Sequence, residues 1–139
     1  MKFYHGSPDK LKVLKPKKAK GIDDFQNQRA IFLTKDFKQA ALYALAKSLK
    51  RKTKFALPPG KIIIVGKFEP VEKGYVYEIE LNESDVKKGN LEDYEYAYFK
   101  DINYFKIHKV NLKDYIHLIE YVDSFDELKK VVWSYKNET

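Results

Sequence analysis

Cysteine is absent from this chain of 139 residues. Its absence excludes disulfides, thiol catalysis and the zinc sites built on thiolates. Histidine is scarce: His5, His108 and His117 are the only three, and none stands in a His-x-x-x-His spacing. There is no acidic cluster of coordinating spacing, so no metal is expected. No glycine fingerprint for phosphate or dinucleotide binding is present either. No apolar run approaches the length of a membrane span, and M-K-F-Y-H-G-S-P lacks the apolar core of a signal peptide. The expectation is therefore no membrane contact and a cytoplasmic address, in its own cell or after delivery into a host or target cell.

What is present suits one ordered domain over residues 1–139. Hydrophobic residues make up 44% and aromatics 15% of the chain, which argues against disorder. Eleven tyrosines and nine phenylalanines point to pleated sheet with aromatic cross-strand packing. The net charge of +7 is unevenly spread. One basic cluster runs from Lys10 to Lys20, and a second comprises Lys47, Lys50, Arg51, Lys52 and Lys54. Between Tyr75 and Tyr98 the acids outnumber the bases. Such polarity makes contact with nucleic acid or another acidic partner an expectation, although lysine-rich surfaces also serve solubility alone.

The chain is organised around R-A-I-F-L-T-K-D-F-K-Q-A-A-L-Y-A-L-A-K, residues 29 to 47. Ala30 to Thr34 reads as a short buried strand. Phe37, Ala40, Ala41, Ala44, Leu45 and Leu49 then recur on one helical face. Asp36 can cap a first-turn N–H, and Gln39 can reach back to the cap backbone. The alanines leave room for a close approach to a sheet. Tyr43 interrupts them.

Around this unit, Met1 to His5 is a first strand ended by the turn signal Gly6-Ser7-Pro8. Residues 21 to 28 form a polar loop anchored by Ile22 and Phe25, and Pro58-Pro59-Gly60 marks a crossing loop. Further strands are expected at Lys61 to Phe68, Gly74 to Leu81, Tyr94 to Phe99, Tyr104 to Val110 and Tyr115 to Val122. Lys61 to Phe68 should be buried on both faces in its first half. Ser124 and Glu127 open a C-terminal helix whose buried stripe is Phe125, Leu128, Val131 and Val132. The fold class is α+β, a bent, mostly antiparallel sheet with a helix after the second strand and a C-terminal helix.

Y-H-G-S-P at 4–8, with I-F-L-T-K-D-F-K-Q-A-A-L-Y some 25 residues later, resembles the ADP-ribosyltransferase fold. The closer resemblance is to its H-Y-E branch, which includes the poly-ADP-ribose polymerases and diphtheria-like toxins, and to small bacterial or phage-type members. Residues 3–8 and 30–46 carry the resemblance, and the later strands match in outline. It implies NAD as co-substrate, bound without a Rossmann fold. His5 would bond a ribose hydroxyl. Gly6 would pair its backbone with the nicotinamide carboxamide, supported by Ser7. Tyr43 would stack on the nicotinamide ring. Phe32 stands at the middle tyrosine of the motif and offers an apolar face without a hydroxyl. Thr34 ends the same strand among the NAD contacts. Ala40 replaces a serine that bonds the carboxamide in the polymerases.

The motif glutamate is assigned to Glu95, with Glu92 and Glu120 as alternatives. Cleaving the nicotinamide–ribose bond builds oxocarbenium-like charge, which a fixed carboxylate stabilises. With His5, Glu95 completes the catalytic pair that the resemblance implies. The implied activity is mono-ADP-ribosyl transfer to a macromolecular or small-molecule acceptor, with release of nicotinamide, in a toxin or phage-encoded modifier. Polymer formation is not expected of so short a chain. The competing readings are a basic nucleic-acid-binding protein or small ribonuclease-type toxin, a non-catalytic NAD-binding relative, and an interaction domain without activity. A ribonuclease would draw on His5, His108 and His117, with Tyr94, Tyr96 and Tyr98 stacking bases.

Overall fold

The computed structural model describes residues 1–18, 25, 27–89 and 94–137, with side chains through 134. Its strands are β1 (Lys2–Ser7), β2 (Lys17–Lys18), β3 (Arg29–Leu33), β4 (Phe55–Ala56), β5 (Ile62–Val65), β6 (Lys73–Glu80), β7 (Lys87–Lys88), β8 (Tyr96–Tyr98), β9 (Lys106–Asn111) and β10 (Ile119–Val122). Its helices are α1 (Phe37–Ala46) and α2 (Phe125–Asn137). The strands form three sheets, ordered β1-β6-β9, β10-β5-β4 and β2-β3-β8-β7. All paired strands are antiparallel except β5 and β10. The architecture is thus α+β and mostly antiparallel. Among the described residues there are three sheets in place of one bent sheet, and two of them meet at a single bridge between Tyr4 and Thr34.

α1 lies at the centre because its sequence is apolar nearly all round. Ala40, Ala41, Ala44 and Leu45 pack with Val76 and Val110 on one side. Leu42, Ala46 and Leu49 pack with Ile62 and Ile64 on another. Periodicity predicts only the first face. The second escapes it because leucine and alanine also fill the positions between the stripe residues, and a helix apolar on all sides is a core helix.

Two glycines let α1 approach the first sheet. A Cβ on Gly6 would run into the Ala40 carbonyl and lie 2.8 Å from the Ala44 nitrogen. A Cβ on Gly74 would lie 2.9 Å from that of Ala44. Side-chain bulk at either position would push helix and sheet apart. The Gly6-Ser7-Pro8 signal therefore acts later than expected, with Gly6 and Ser7 inside β1.

The ends of α1 show one cap as expected and one correction. Asp36 accepts a bond from the Lys38 N–H at 2.9 Å. Gln39 does not return to the cap. Its amide donates to the Leu57 carbonyl (3.0 Å) and accepts from the Gly60 N–H (2.9 Å), tying the 57–60 loop to the helix. The cap backbone is served by Thr34, whose hydroxyl accepts the Asp36 N–H at 3.1 Å.

In β5, Ile62 and Ile64 face α1 while Ile63 packs with Leu128 of α2, the two-faced burial expected of its isoleucine run. At the start of α2 the Glu127 N–H donates to the Ser124 hydroxyl, and the Glu127 carboxylate accepts from the Asp123 N–H. Phe125 leaves the predicted stripe: it is 44% exposed, with the Lys129 ammonium 4.6 Å from its ring centre. The segment expected as a strand from Tyr115 begins instead with 3-10 turns at Leu112–Asp114 and Ile116–Leu118, and pairing starts at Ile119. β2, β4 and β7, two residues each, carry no alternation that a sequence could reveal. Lys20, Ile22 and Glu92 lie outside the described residues.

Candidate functional site at the gap between β1 and β3

The two edges of β1 are unequal. Along one edge, all six of its residues pair with β6. Along the other, Tyr4 alone pairs among the described residues, exchanging backbone bonds of 2.7 and 2.9 Å with Thr34. The same edge of β3 is taken by β2 at Arg29 and Ala30. Between these contacts, among the described residues, no ladder joins β1 and β3. Backbone groups alternate along a strand, so Gly6 and Phe32 turn their peptide groups toward this gap, as Tyr4 and Thr34 do at its closed end.

His5 closes part of the gap with its side chain. Its Nδ1 lies 2.7 Å from the Phe32 carbonyl oxygen. A carbonyl only accepts, so Nδ1 carries the hydrogen and Nε2 keeps its lone pair. The imidazole is half-buried, and loss of hydration lowers its pKa from 6.5 to about 4. The carbonyl bond opposes that shift, and the charges of Lys47 and Lys17 add to it. At neutral pH His5 is therefore an uncharged ring with one acceptor to offer.

Register places the other residues. Tyr4 opposite Thr34 puts Gly6, Phe32 and Thr34 on one sheet face, the face that α1 covers at Gly6. Phe32 pairs with Ala97 and Leu33 with Tyr96. One step further along that register, Glu95 falls beside Thr34 on the same face. The Oε2 atom of Glu95 is buried, and a Cβ on Gly89 would lie 2.8 Å from it and from the Phe25 ring. Phe25 in turn packs edge-on to Phe32, with ring centres 5.9 Å apart. Ser7 is buried, and its hydroxyl accepts the Asp9 N–H at 3.2 Å.

Tyr43 stands on α1 next to Ala44, whose backbone packs against Gly6. Phe37, earlier on the same helix, touches Tyr4 and His108. The Tyr43 ring is half-buried, and burial raises its pKa while Lys47 pulls it down. The ammonium groups of Lys47 and Lys50 sit 6.0 and 5.9 Å from its ring centre. Lys47 thus acts on both His5 and Tyr43.

The structure brings His5, Gly6, Phe32 and Thr34 to the gap, His5 from the opposite sheet face to the other three. Glu95 falls one strand away on the face of Phe32 and Thr34, and Tyr43 stands on α1, which covers that face at Gly6. Glu120 is elsewhere: it is exposed on β10 and pairs with Lys61 at 3.5 Å. Sequence reading missed that Lys17 and Lys47, one from each basic cluster, both act on His5. It also missed Tyr77, whose hydroxyl accepts the Leu11 N–H and donates to the Asp9 carbonyl, holding the start of the first basic segment.

Two shallow surface depressions, of about 260 Å³ (Lys67, Glu69, Tyr121) and about 300 Å³ (Met1, Glu80, Leu81, Asn82, Asp85), are lined by no residue of the gap. Among the described residues, no group of three or more His, Asp or Glu could hold a metal ion, and no helix is long and apolar enough to cross a membrane. No known protein family, curated protein or solved structure matches this chain.

Proposed function

We propose that the chain is an ADP-ribosyltransferase-like protein that binds NAD at the gap between β1 and β3 and transfers ADP-ribose to an acceptor. The observation that carries this reading is the interrupted pairing, with the peptide groups of Gly6 turned toward the gap. An extended residue presents N–H and C=O side by side. A carboxamide presents the complementary pair, so nicotinamide can dock as a missing strand would. The lack of a Cβ on Gly6 serves the approach of α1, whereas its backbone edge serves the ligand.

The other residues take roles that suit their states. The Nε2 lone pair of neutral His5 accepts from a ribose hydroxyl. The Tyr43 ring stacks on nicotinamide, and Phe32 supplies an apolar wall. Glu95 stabilises the cationic ribose as the bond to nicotinamide breaks. No acid is required for departure, because the nicotinamide nitrogen of NAD is already cationic and takes the bonding pair.

The ribonuclease reading gains less. His5 pairs with Tyr77 and His108 with Val76, neighbours on β6 whose side chains point to opposite faces, so those two histidines lie on opposite faces of the sheet. Tyr96 is 1% exposed in the core beside Phe3, which removes it as a surface for bases.

Calorimetric titration with NAD tests the proposal. Saturable binding to the unmodified protein, abolished by Tyr43→Ala, is expected. Nicotinamide release should cease in Glu95→Gln while NAD binding persists. Absence of heat at millimolar NAD overturns the reading. Binding without any nicotinamide release by the unmodified protein would leave a non-catalytic NAD-binding protein.

A further inference from the structure

We infer that the acceptor, on the transferase reading given above, is a single nucleic acid strand whose phosphates bridge the two basic segments across the gap. Lys17 on β2 pairs with Ala30 on β3, and paired residues project to the same face. Ala30, Phe32 and Thr34 share that face, so Lys17 borders the gap on the edge of β3 that faces β1, where β2 takes up the pairing. Lys47 borders it from the other side, at the C-terminal end of α1, one helical turn after Tyr43.

The charge is concentrated on this rim. Lys15, Lys17 and Lys18 are exposed along the strap that Leu14 fixes by its backbone bridge to Ile102. Lys50, Arg51 and Lys52 continue from Lys47 in a 3-10 turn and are exposed too. Neither 10–18 nor 47–54 contains an acid. Two cationic ridges with a reactive centre between them fit a polyanion that runs from one to the other, because each phosphate held by a lysine or arginine releases a bound counterion. The local electrostatics agree: the charges of Lys17 and Lys47 both reach His5.

In the transfer step, an oxygen of the strand bonds to C1′ of the nicotinamide ribose as the C1′–N bond breaks. The bonding pair leaves with nicotinamide, and the acceptor proton passes to the Glu95 carboxylate and then to water.

Fluorescence anisotropy with a labelled RNA of about 12 nucleotides, within the usual reach of one small domain, measures binding across a salt series. Binding should weaken steeply with salt, and replacing Lys17 and Lys47 together by alanine should lower the salt slope by about 2, or about 1 for each phosphate that no longer meets a lysine. Lys106→Ala with Lys109→Ala, on the far edge strand β9, removes the same charge and should leave the slope nearly unchanged. Radiolabelled NAD should then label the RNA. Equal decreases in the two double variants, or label entering an acidic protein and not RNA, overturn the inference while NAD binding keeps the transferase reading. Failure of the unmodified protein to bind NAD overturns both.

Discussion

The two edges of β1 divide this molecule into a fully paired part and a part left open. On the β6 edge every residue is paired, Gly6 and Gly74 admit α1 to close contact, and the core beneath holds Phe3, Tyr77 and Ile79 at no more than 1% exposure. On the β3 edge a single bridge holds among the described residues, and beyond it a histidine ring replaces backbone pairing. One strand thus borders both parts, because its peptide groups alternate between the two edges. A closed ladder on both sides would have been more stable and would have left no peptide group to offer.

Gly6→Ala should break the closed edge with the largest effect. The added methyl meets helix backbone that cannot move alone, so a destabilisation near the upper end of the usual overpacking cost, about 3 kcal/mol, is expected by urea denaturation. If Gly6→Ala left stability unchanged, the close approach of α1 would not be what requires glycine there.

The open edge is sharpened by pH. Unfolded, His5 takes up its proton near 6.5; folded, it does so only near 4. The unfolded chain therefore binds more protons between those values, and stability falls with acidification through that window. The contribution of neutral His5 is complete above pH 6.5 and gone by about pH 4. It is on the order of 2 kcal/mol, given that the ring is partly in contact with water. His5→Gln should flatten this part of the stability profile, and an unchanged slope would count against the buried neutral ring.

Tyr77→Phe removes the hydroxyl that holds the Leu11 N–H and the Asp9 carbonyl. It should cost about 1 kcal/mol of stability and loosen the first basic segment. Faster amide exchange at Leu11, without change at Val76, is the expected signature. The smallest effect belongs to Glu120→Gln. Its exposed pair with Lys61 contributes no more than about 0.5 kcal/mol, and neither NAD binding nor nicotinamide release should change. Loss of release in this variant would transfer the catalytic role from Glu95 to Glu120.

Local patterns made much of the fold legible. The strand from Arg29, the helix after Asp36, the isoleucine run at 62–64, the alternation from Val76 and the Ser124 cap all rest on neighbours in sequence. What misled was also local. Gln39 fits a capping box, yet its amide finds better partners in the 57–60 loop. Phe125 fits an apolar stripe, yet Leu128, with Val131 and Val132, fills the space over Ile63 and Ala56. Two-residue strands have no pattern to read, because a period of two needs more than two residues.

By itself, then, the sequence determined the α+β class, the central strand–helix unit and the basic character. Those depend on composition, on periods of 2 and 3.6, and on capping chemistry within a few residues. Only the tertiary structure decided that α1 is buried on two sides and that β1 pairs along one edge and opens along the other. The physical reason is that register is a long-range property. It places Tyr4 beside Thr34 and Lys17 beside Ala30 through pairings that no local pattern encodes.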